Sequence, residues 1–274
     1  MKILKIQKTV LYLVLIVGLV LTIGPFYWMV VGATNPSGEV LSIPPNFIPG
    51  THLLENLDKL MSEINIWRSL LNSTIVTVTY TFLGGLVSAS AGYAFAKFQF
   101  KGGNLLFSII LLSMMVPYQA LVIPQFELFA SLDLLNSYLS VIFPQIAYPF
   151  AIFLMRQNMQ SIPDSLLEVA RIDGCGEIRI FFKIVLPTSI PSIAAVSIFL
   201  FTHQWNNFLW PLVTLSSEDM YTLPVALATL AGLENIDYGV LMLGATISIV
   251  PIFIAFLFLQ RYFISGILGG SVKE

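Results

Sequence analysis

Uncharged polar and aromatic side chains interrupt several long apolar stretches of this chain. Amide groups can exchange hydrogen bonds with hydroxyl groups, and aromatic rings suit the apolar faces of sugar rings. The same side chains can instead tie neighbouring membrane helices together, at about 0.6 to 2 kcal/mol each. With that alternative open, we expect a path for a neutral solute among Asn72, Gln119, Gln125, Gln145, Tyr148, Gln204, Trp205, Asn206 and Asn207.

The charged stretch from 161 to 187 has the pattern of a helix, a turn and a second helix. It reads SIPDSLLEVARIDGCGEIRIFFKIVLP. Ser161, followed three residues later by Asp164, has the form of a capping box that starts a helix. Gly174 suits the left-handed position that ends one, and residues 177–183 can form the second helix. We therefore predict a rigid element that can transmit force to the apolar segment after it.

Residue patterns that support catalysis or metal binding are sparse. Cys175 is the single cysteine, which excludes an intrachain disulfide and a multi-cysteine metal site. His203 has no second His, Cys or carboxylate nearby at metal-ligand spacing, so a hydrogen-bonded structural histidine is expected. The sequence also lacks a Gly-rich phosphate-binding loop and a nucleophile-base pair. We expect a chain that is not an enzyme and binds no metal or cofactor itself.

The composition sets the class of protein that must position these residues. Hydrophobic residues make up 57% of the chain and charged residues 10%, against about a quarter charged in an ordinary soluble domain. The net charge of -2 gives no reason to expect nucleic acid as a partner. These values predict an all-α integral membrane protein.

The membrane spans follow from the gaps between charged residues, because a charge at the bilayer centre costs about 2.5 to 3.5 kcal/mol. A spanning helix needs about 20 apolar residues. The first apolar run is too long for a secretory signal, so it is retained as a membrane helix. We predict one transmembrane domain over residues 1–274, with six spans at about 10–34, 69–96, 104–126, 135–155, 188–210 and 239–260.

The orientation follows from the positive charges in the loops, which favour the cytoplasm. With a cytoplasmic N-terminus, 11 of the 13 Lys and Arg residues fall inside, and Lys59 and Arg68 fall outside. Both termini and the stretch 161–187 are then cytoplasmic. The chain is predicted to be a multi-pass protein of a prokaryotic cytoplasmic membrane.

One motif in the stretch 161–187 resembles the EAA motif of ABC importer permeases, E-A-A-x3-G-x9-I-x-L-P. All spacings match, and the departure is Val169 in place of an alanine. The resemblance implies the type I permease fold and a loop that docks on a cytoplasmic ATPase; residues 161–187 are therefore named the coupling loop. The residues implied to couple are Glu168, Val169, Ala170, Arg171, Asp173, Gly174, Ile184, Leu186 and Pro187.

Five further segments resemble the second permease subunit of maltose-type carbohydrate importers. This resemblance implies import of oligosaccharides or related sugars, with ATP and Mg bound by a partner ATPase. It also implies four partners besides membrane lipid: a different second permease, two ATPase subunits, and an extracellular or periplasmic sugar-binding protein. We expect the binding protein to touch the outer loop 216–237, because this loop joins the fifth and sixth spans on the side from which an importer loads. The segments are SLLNSTIVT (69–77), SASAGYAFAKFQFKG (88–102), MVPYQALVIPQF (115–126), WNNFLWPL (205–212) and QRYFISGILGGSVK (260–273).

Other classes of transporter remain open at this point. The same motif occurs in importers of glycerol phosphate, phosphate or polyamines, although spans without Asp, Glu, Lys or Arg argue against polyamines. An ion-coupled secondary transporter would need buried carboxylates or broken helices, and no internal repeat is evident. The sequence shows no nucleophile-base pair and no metal-ligand set that would support an intramembrane enzyme.

Overall fold

A computed structural model describes the backbone of residues 2–271 and the side chains of residues 8–260. The regular elements in this part of the chain are helices, and no strand occurs in it. The α-helices are α1 (Lys2–Gly32), α2 (Ser37–Val40), α3 (Leu53–Glu63), α4 (Ile66–Lys97), α5 (Gly103–Ser113), α6 (Tyr118–Ser131), α7 (Tyr138–Ile142), α8 (Pro149–Gln160), α9 (Asp164–Ile172), α10 (Glu177–Ile180), α11 (Leu186–Thr188), α12 (Ile190–Trp205), α13 (Leu209–Thr214), α14 (Leu223–Ala231) and α15 (Tyr238–Ser271).

Shorter helical turns join several of these elements. Two are 3-10 turns, at Phe143–Gln145 and Glu218–Met220, and one is a π-helical turn at Phe181–Val185. Contacts between Cα atoms divide the chain into two compact units. The first unit contains Met1–Trp67 and Leu223–Val250, and the second contains Arg68–Thr222 and Pro251–Glu274.

Three single helices are long and apolar enough to cross a membrane. They are Lys8–Gly32 in α1, all of α4, and Tyr238–Gln260 in α15. The last two cover the predicted spans 69–96 and 239–260, and the first ends two residues short of the predicted span 10–34. The other three candidate spans are bent pairs. The bend is 102° between α5 and α6, 48° around the break before α8, and 82° between α11 and α12.

The bent pairs differ from the uninterrupted helices expected from the sequence. Span 104–126 breaks before Pro117, span 135–155 breaks before Pro149, and the bend before α12 precedes Pro191. Proline lacks a backbone N–H and pushes the preceding residue out of helical geometry, so the chain turns there. The helix expected over 188–210 ends at Trp205, where the Asn206 amide donates to the Thr202 carbonyl.

The coupling loop departs from its predicted form at both ends. No capping box forms, because Pro163 occupies the N-cap position of α9 and the Ser161 hydroxyl donates to the Asn158 carbonyl at 2.6 Å. The second helix does not stop at residue 183. It continues through the π-helical turn into α11, so that one helical segment runs from Glu177 to Thr188.

The main hydrophobic core lies in the second unit and includes the inner face of the coupling loop. Tyr80 and Tyr93 of α4 are buried with residues of α8, α12 and the loop, including Leu167 and Phe181. Helices α4 and α8 approach closely at Gly92, where a Cβ atom would lie 2.6 Å from the Met155 Cβ. That contact leaves no space for a side chain at position 92, so α4 and α8 are closely packed there. The inner face of the coupling loop packs against this helix pair.

The first unit is held by a buried polar cluster at the end of α1. The Asn56 side chain donates to the carbonyls of Ala33 and Asn35 at 2.9 and 3.0 Å. The Asn35 amide donates to the carbonyls of Val31 and Ile48. The two side-chain amides donate hydrogen bonds to buried backbone carbonyls where the chain leaves α1, and buried polar groups need such partners.

Candidate functional site

Breaks in the first two bent spans and the C-terminal end of α12 meet at one cavity of about 900 Å³. Pro117 lines it from the first break and Ala147 from the second, and Phe208 lines it from the segment that follows α12. Irregular backbone at membrane depth is tolerated where it is buried in protein or lines a cavity. The cavity is named the amide cavity after the side chains described next.

Six of the nine predicted path residues line the amide cavity. Its size falls within the range of small-molecule sites, about 300 to 1,000 Å³. The lining combines amides with rings, and its described residues include no Asp, Glu, Lys or Arg. The six are Gln119, Gln125, Gln145, Tyr148, Asn206 and Asn207.

The other three predicted path residues do not line the cavity. Asn72 is fully buried; its amide donates to the carbonyls of Asp219 and Tyr221, and its oxygen accepts from the Tyr138 hydroxyl at 2.7 Å. Trp205 is buried with its ring stacked at 5.8 Å on Phe201. The buried Gln204 amide has no hydrogen-bond partner among the described residues. Asn72 and Trp205 therefore have packing roles in this conformation.

Tyr118 and His203 are among the cavity residues that sequence reasoning missed. The His203 ring lies 4.8 Å from that of Tyr148 and 6.2 Å from that of Phe199, so it belongs to an aromatic cluster. The available signal was helical spacing, because Phe199 and His203 are four residues apart and share one face of α12. A histidine considered alone gave no such indication.

Buried polar atoms beside the cavity have unused hydrogen-bonding capacity. The side-chain oxygen of Gln125 and the Nδ1 atom of His203 are buried and have no partner among the described residues. Such atoms are uncommon in native structures, because each costs about 1 to 3 kcal/mol when desolvated. Both residues line the cavity, so these groups are candidates for hydrogen bonds with a hydroxylated ligand.

The turn of the coupling loop is a Schellman motif centred on Gly174. Gly174 has a φ of +80°, and its N–H donates to the Arg171 carbonyl at 3.0 Å. The Cys175 N–H donates to the Ala170 carbonyl at 3.0 Å, and its side chain packs against the core. This geometry closes α9 and aims the chain into α10, as the sequence predicted. Asp173 is the exposed C-cap residue of α9.

Charged groups attach the coupling loop to α4. The Arg171 guanidinium donates to Glu177 at 2.6 Å, and the same carboxylate accepts from the Tyr93 hydroxyl at 3.0 Å. The hydrogen bond to Glu177 raises the pKa of Arg171, so the guanidinium of this ion pair stays protonated. At the start of the loop, the ammonium of Lys97 lies 2.7 Å from Asp164.

The EAA-type residues divide between two faces of the loop. Ala170 is buried, and Ile184 and Leu186 pack against the core. Glu168 and Pro187 are exposed. The exposed face also carries Val169, 56% exposed, and Ile172, 84% exposed. Exposed apolar side chains rimmed by charges are typical of a surface that another protein covers.

The sequence comparisons identify the family. Residues 72–268 match the family described as binding-protein-dependent transport system inner membrane component. The chain belongs to this family. A member of it is a multi-pass protein of the cytoplasmic membrane, and the three apolar helices and three bent pairs fit that location.

Relatives within the transport family align over nearly the whole chain. The chain is 42% identical to the arabinooligosaccharides transport system permease protein AraQ of Halalkalibacterium halodurans, over 91% of this chain and 90% of that one. It is 36% identical to the lactose transport system permease protein LacG of Rhizobium radiobacter, over 98% and 97%. It is 32% identical to the sn-glycerol-3-phosphate transport system permease protein UgpE of Escherichia coli, over 94% of each.

A solved structure shows the fold of this family member. The match is a chain of a bacterial ABC transporter involved in import of the acidic polysaccharide alginate, with a TM-score of 0.79. It covers 94% of this chain and 97% of that one, at 24% identity. The all-helical type I ABC importer permease fold expected from the EAA motif is therefore confirmed. The C-terminal residues Lys273 and Glu274, which the sequence places on the cytoplasmic side, lie outside the described residues.

Proposed function

We propose that this chain is a permease subunit of an ATP-driven, binding-protein-dependent importer of oligosaccharides or related sugars. The observation that carries this proposal is the amide cavity, whose uncharged lining joins amide groups to aromatic rings. Sugars present hydroxyls and apolar ring faces to such side chains. The arabinooligosaccharide and lactose permeases among the relatives support the same class of substrate.

The energy for transport comes from other chains in this proposal. Two ATPase subunits bind ATP and Mg and dock on the exposed face of the coupling loop. Their closure moves the loop, and the loop moves α4, α8 and α12 because its inner face shares their core. The chain itself is then a non-catalytic membrane subunit.

Six spans with both termini in the cytoplasm are proposed for the topology. Three single helices and three bent pairs supply six crossings by length and composition. The excess of Lys and Arg on the side of the coupling loop supports this orientation. The outer loop 216–237 then faces the sugar-binding protein, with Glu218 and Asp219 exposed on it.

A second candidate substrate is glycerol phosphate, because one relative is a glycerol-3-phosphate permease. A phosphate group in a low-dielectric site needs a cationic partner such as Arg or Lys. Within the part of the chain that the structure describes, neither residue lines the amide cavity. A neutral sugar therefore suits the cavity better than a phosphate ester does.

The functional unit is proposed to be a heterodimer with a different permease. An apolar groove of about 400 Å³ runs along α4 and α12 and includes the small residues Gly85, Ala89 and Ser197. Small residues allow the backbones of two membrane helices to approach closely. A second permease seated there would complete a sugar-sized pathway.

Native mass measurement of the purified transporter tests this assembly. We expect one copy of this 30.4 kDa chain, one copy of a different permease and two ATPase subunits. As a control, the subunits that co-purify in mild detergent are identified, which shows which proteins make up the measured mass. Two copies of this chain and no second permease, in a complex that still transports, would refute the heterodimer.

Substitution of Gln119 by leucine tests the contact between the amide cavity and sugar. Gln119 is exposed on the cavity wall, so its replacement should leave the fold intact. Loss of one neutral hydrogen bond, worth about 0.5 to 1.5 kcal/mol, should raise the KM for sugar uptake by about 2-fold to 10-fold. Gln99→Leu is the matched control, because Gln99 is an exposed amide outside this cavity. Equal KM values for both variants would exclude Gln119 from the path.

A further inference from the structure

We propose that α4 acts as a rod that joins the outer loop, the amide cavity and the coupling loop. In this role Asn72 and Lys97 are positioning residues for the transport cycle. The inference rests on the proposed function and adds the route by which binding-protein docking reaches the ATPases. It stands on hydrogen bonds and close contacts at three levels of one uninterrupted helix, all within the second unit.

The outer end of the rod holds the segment around Glu218. The buried Asn72 amide donates to the carbonyls of Asp219 and Tyr221 at 2.8 and 2.9 Å, and Arg68 donates to the Asp219 carbonyl at 3.1 Å. The Tyr138 hydroxyl fixes the orientation of the Asn72 amide. A displacement of this segment by a docking protein must therefore pull on α4.

The middle of the rod touches the break that lines the amide cavity. The Tyr80 hydroxyl donates to the backbone carbonyl of Gln145 at 3.1 Å. One turn further, a Cβ atom on Gly84 would lie 3.2 Å from the Ile146 carbonyl oxygen, so the two backbones are nearly in contact. Movement of α4 along its axis therefore moves the cavity wall at Gln145.

The inner end of the rod holds the start of the coupling loop. The Lys97 side chain is 5% exposed, and its ammonium donates to the carbonyl of Ile162 and to Asp164. Tyr93, one turn earlier, donates to Glu177 in the second half of the loop. Both halves of the coupling loop are therefore attached to the C-terminal end of α4.

The geometry of α4 suits it to transmit displacement. Asn72 and Lys97 are 25 residues apart, which corresponds to about 38 Å at 1.5 Å per residue. The helix contains no proline, and prolines are the commonest cause of sharp kinks. Gly92 locks it against α8 through the contact with Met155. A rigid helix whose position both sites bias is one physical means of coupling distant sites.

The test measures ATP hydrolysis by the reconstituted complex with and without sugar-loaded binding protein. Asn72→Leu removes the two donations to the outer segment, and Lys97→Met removes the attachment to the coupling loop. We expect both variants to assemble and Asn72→Leu to keep basal hydrolysis within about twofold of wild type. Stimulation of hydrolysis by the binding protein should fall about tenfold in each variant. Tyr138→Phe is the matched control: it leaves both Asn72 donations in place and should keep most of the stimulation.

The outcomes separate this inference from the proposed function. A wild-type complex that binding protein does not stimulate would contradict the proposed function itself. If the binding protein stimulates ATP hydrolysis equally in the wild-type and Asn72→Leu complexes, the proposed role of α4 is overturned. If Asn72→Leu does not assemble, Arg68→Met replaces it, because Arg68 is exposed; unchanged stimulation in Arg68→Met then overturns the inference, and reduced stimulation supports it.

Discussion

Replacement of Gly174 by proline is expected to stop transport while leaving the protein in the membrane. Gly174 has a φ of +80°, whereas proline is fixed near -65°. Proline also removes the N–H that donates to the Arg171 carbonyl, so the Schellman turn cannot close. We expect sugar uptake to fall at least 100-fold, because the second half of the coupling loop would point in a different direction.

Gly176→Ala is the matched control for this substitution. Gly176 lies two residues away with an ordinary φ of -70°, and an added Cβ meets open space. Uptake and ATP turnover should stay near wild type in that variant. Gly174→Ala should fall between the two, because an alanine at positive φ costs about 1 to 2 kcal/mol. Normal uptake with normal ATP turnover in Gly174→Pro would show that the coupling loop does not couple.

Charged replacements on the exposed face of α9 are expected to release the ATPase subunits. Ile172 is 84% exposed and Val169 is 56% exposed in the isolated chain. If the ATPase covers them, Ile172→Asp buries an unpaired carboxylate, and central interface positions commonly contribute 2 kcal/mol or more. We expect ATPase affinity to fall at least 30-fold for Ile172→Asp, measured by co-purification at defined subunit concentrations.

Ile43→Asp controls for the effect of a new charge on an exposed isoleucine. Ile43 is 97% exposed and belongs to the first unit, whereas the coupling loop belongs to the second. That variant should retain its ATPase subunits. Retention of the ATPase by Ile172→Asp at the level of Ile43→Asp would place the docking surface elsewhere.

Patterns that depend on near neighbours in the sequence predicted much of this fold. The long apolar runs gave α1, α4 and α15, because a membrane helix satisfies its own backbone and needs few other signals. Gly174 marked the turn of the coupling loop, because positive φ favours glycine at the end of a helix. The EAA spacing was likewise readable without knowledge of tertiary structure.

Features that depend on tertiary contacts were predicted less well. Asn72 was expected along the path, but its side chain is occupied by two carbonyls about 150 residues away in the sequence. His203 was expected to be structural, yet breaks in separate spans place it on the cavity wall. The prolines at 117, 149 and 191 were visible in the sequence, but the size of each bend depends on the helices around it.

Sugar uptake into proteoliposomes tests the central claim most directly. The complex of this chain with its partner permease and two ATPase subunits would be reconstituted with radiolabelled oligosaccharide and binding protein on the outer side. We predict uptake that requires ATP at the coupling-loop side, requires the binding protein, and is lost with Gly174→Pro. Uptake that persists without ATP or without the ATPase subunits, driven by an ion gradient instead, would contradict the assignment as an ATP-driven importer permease.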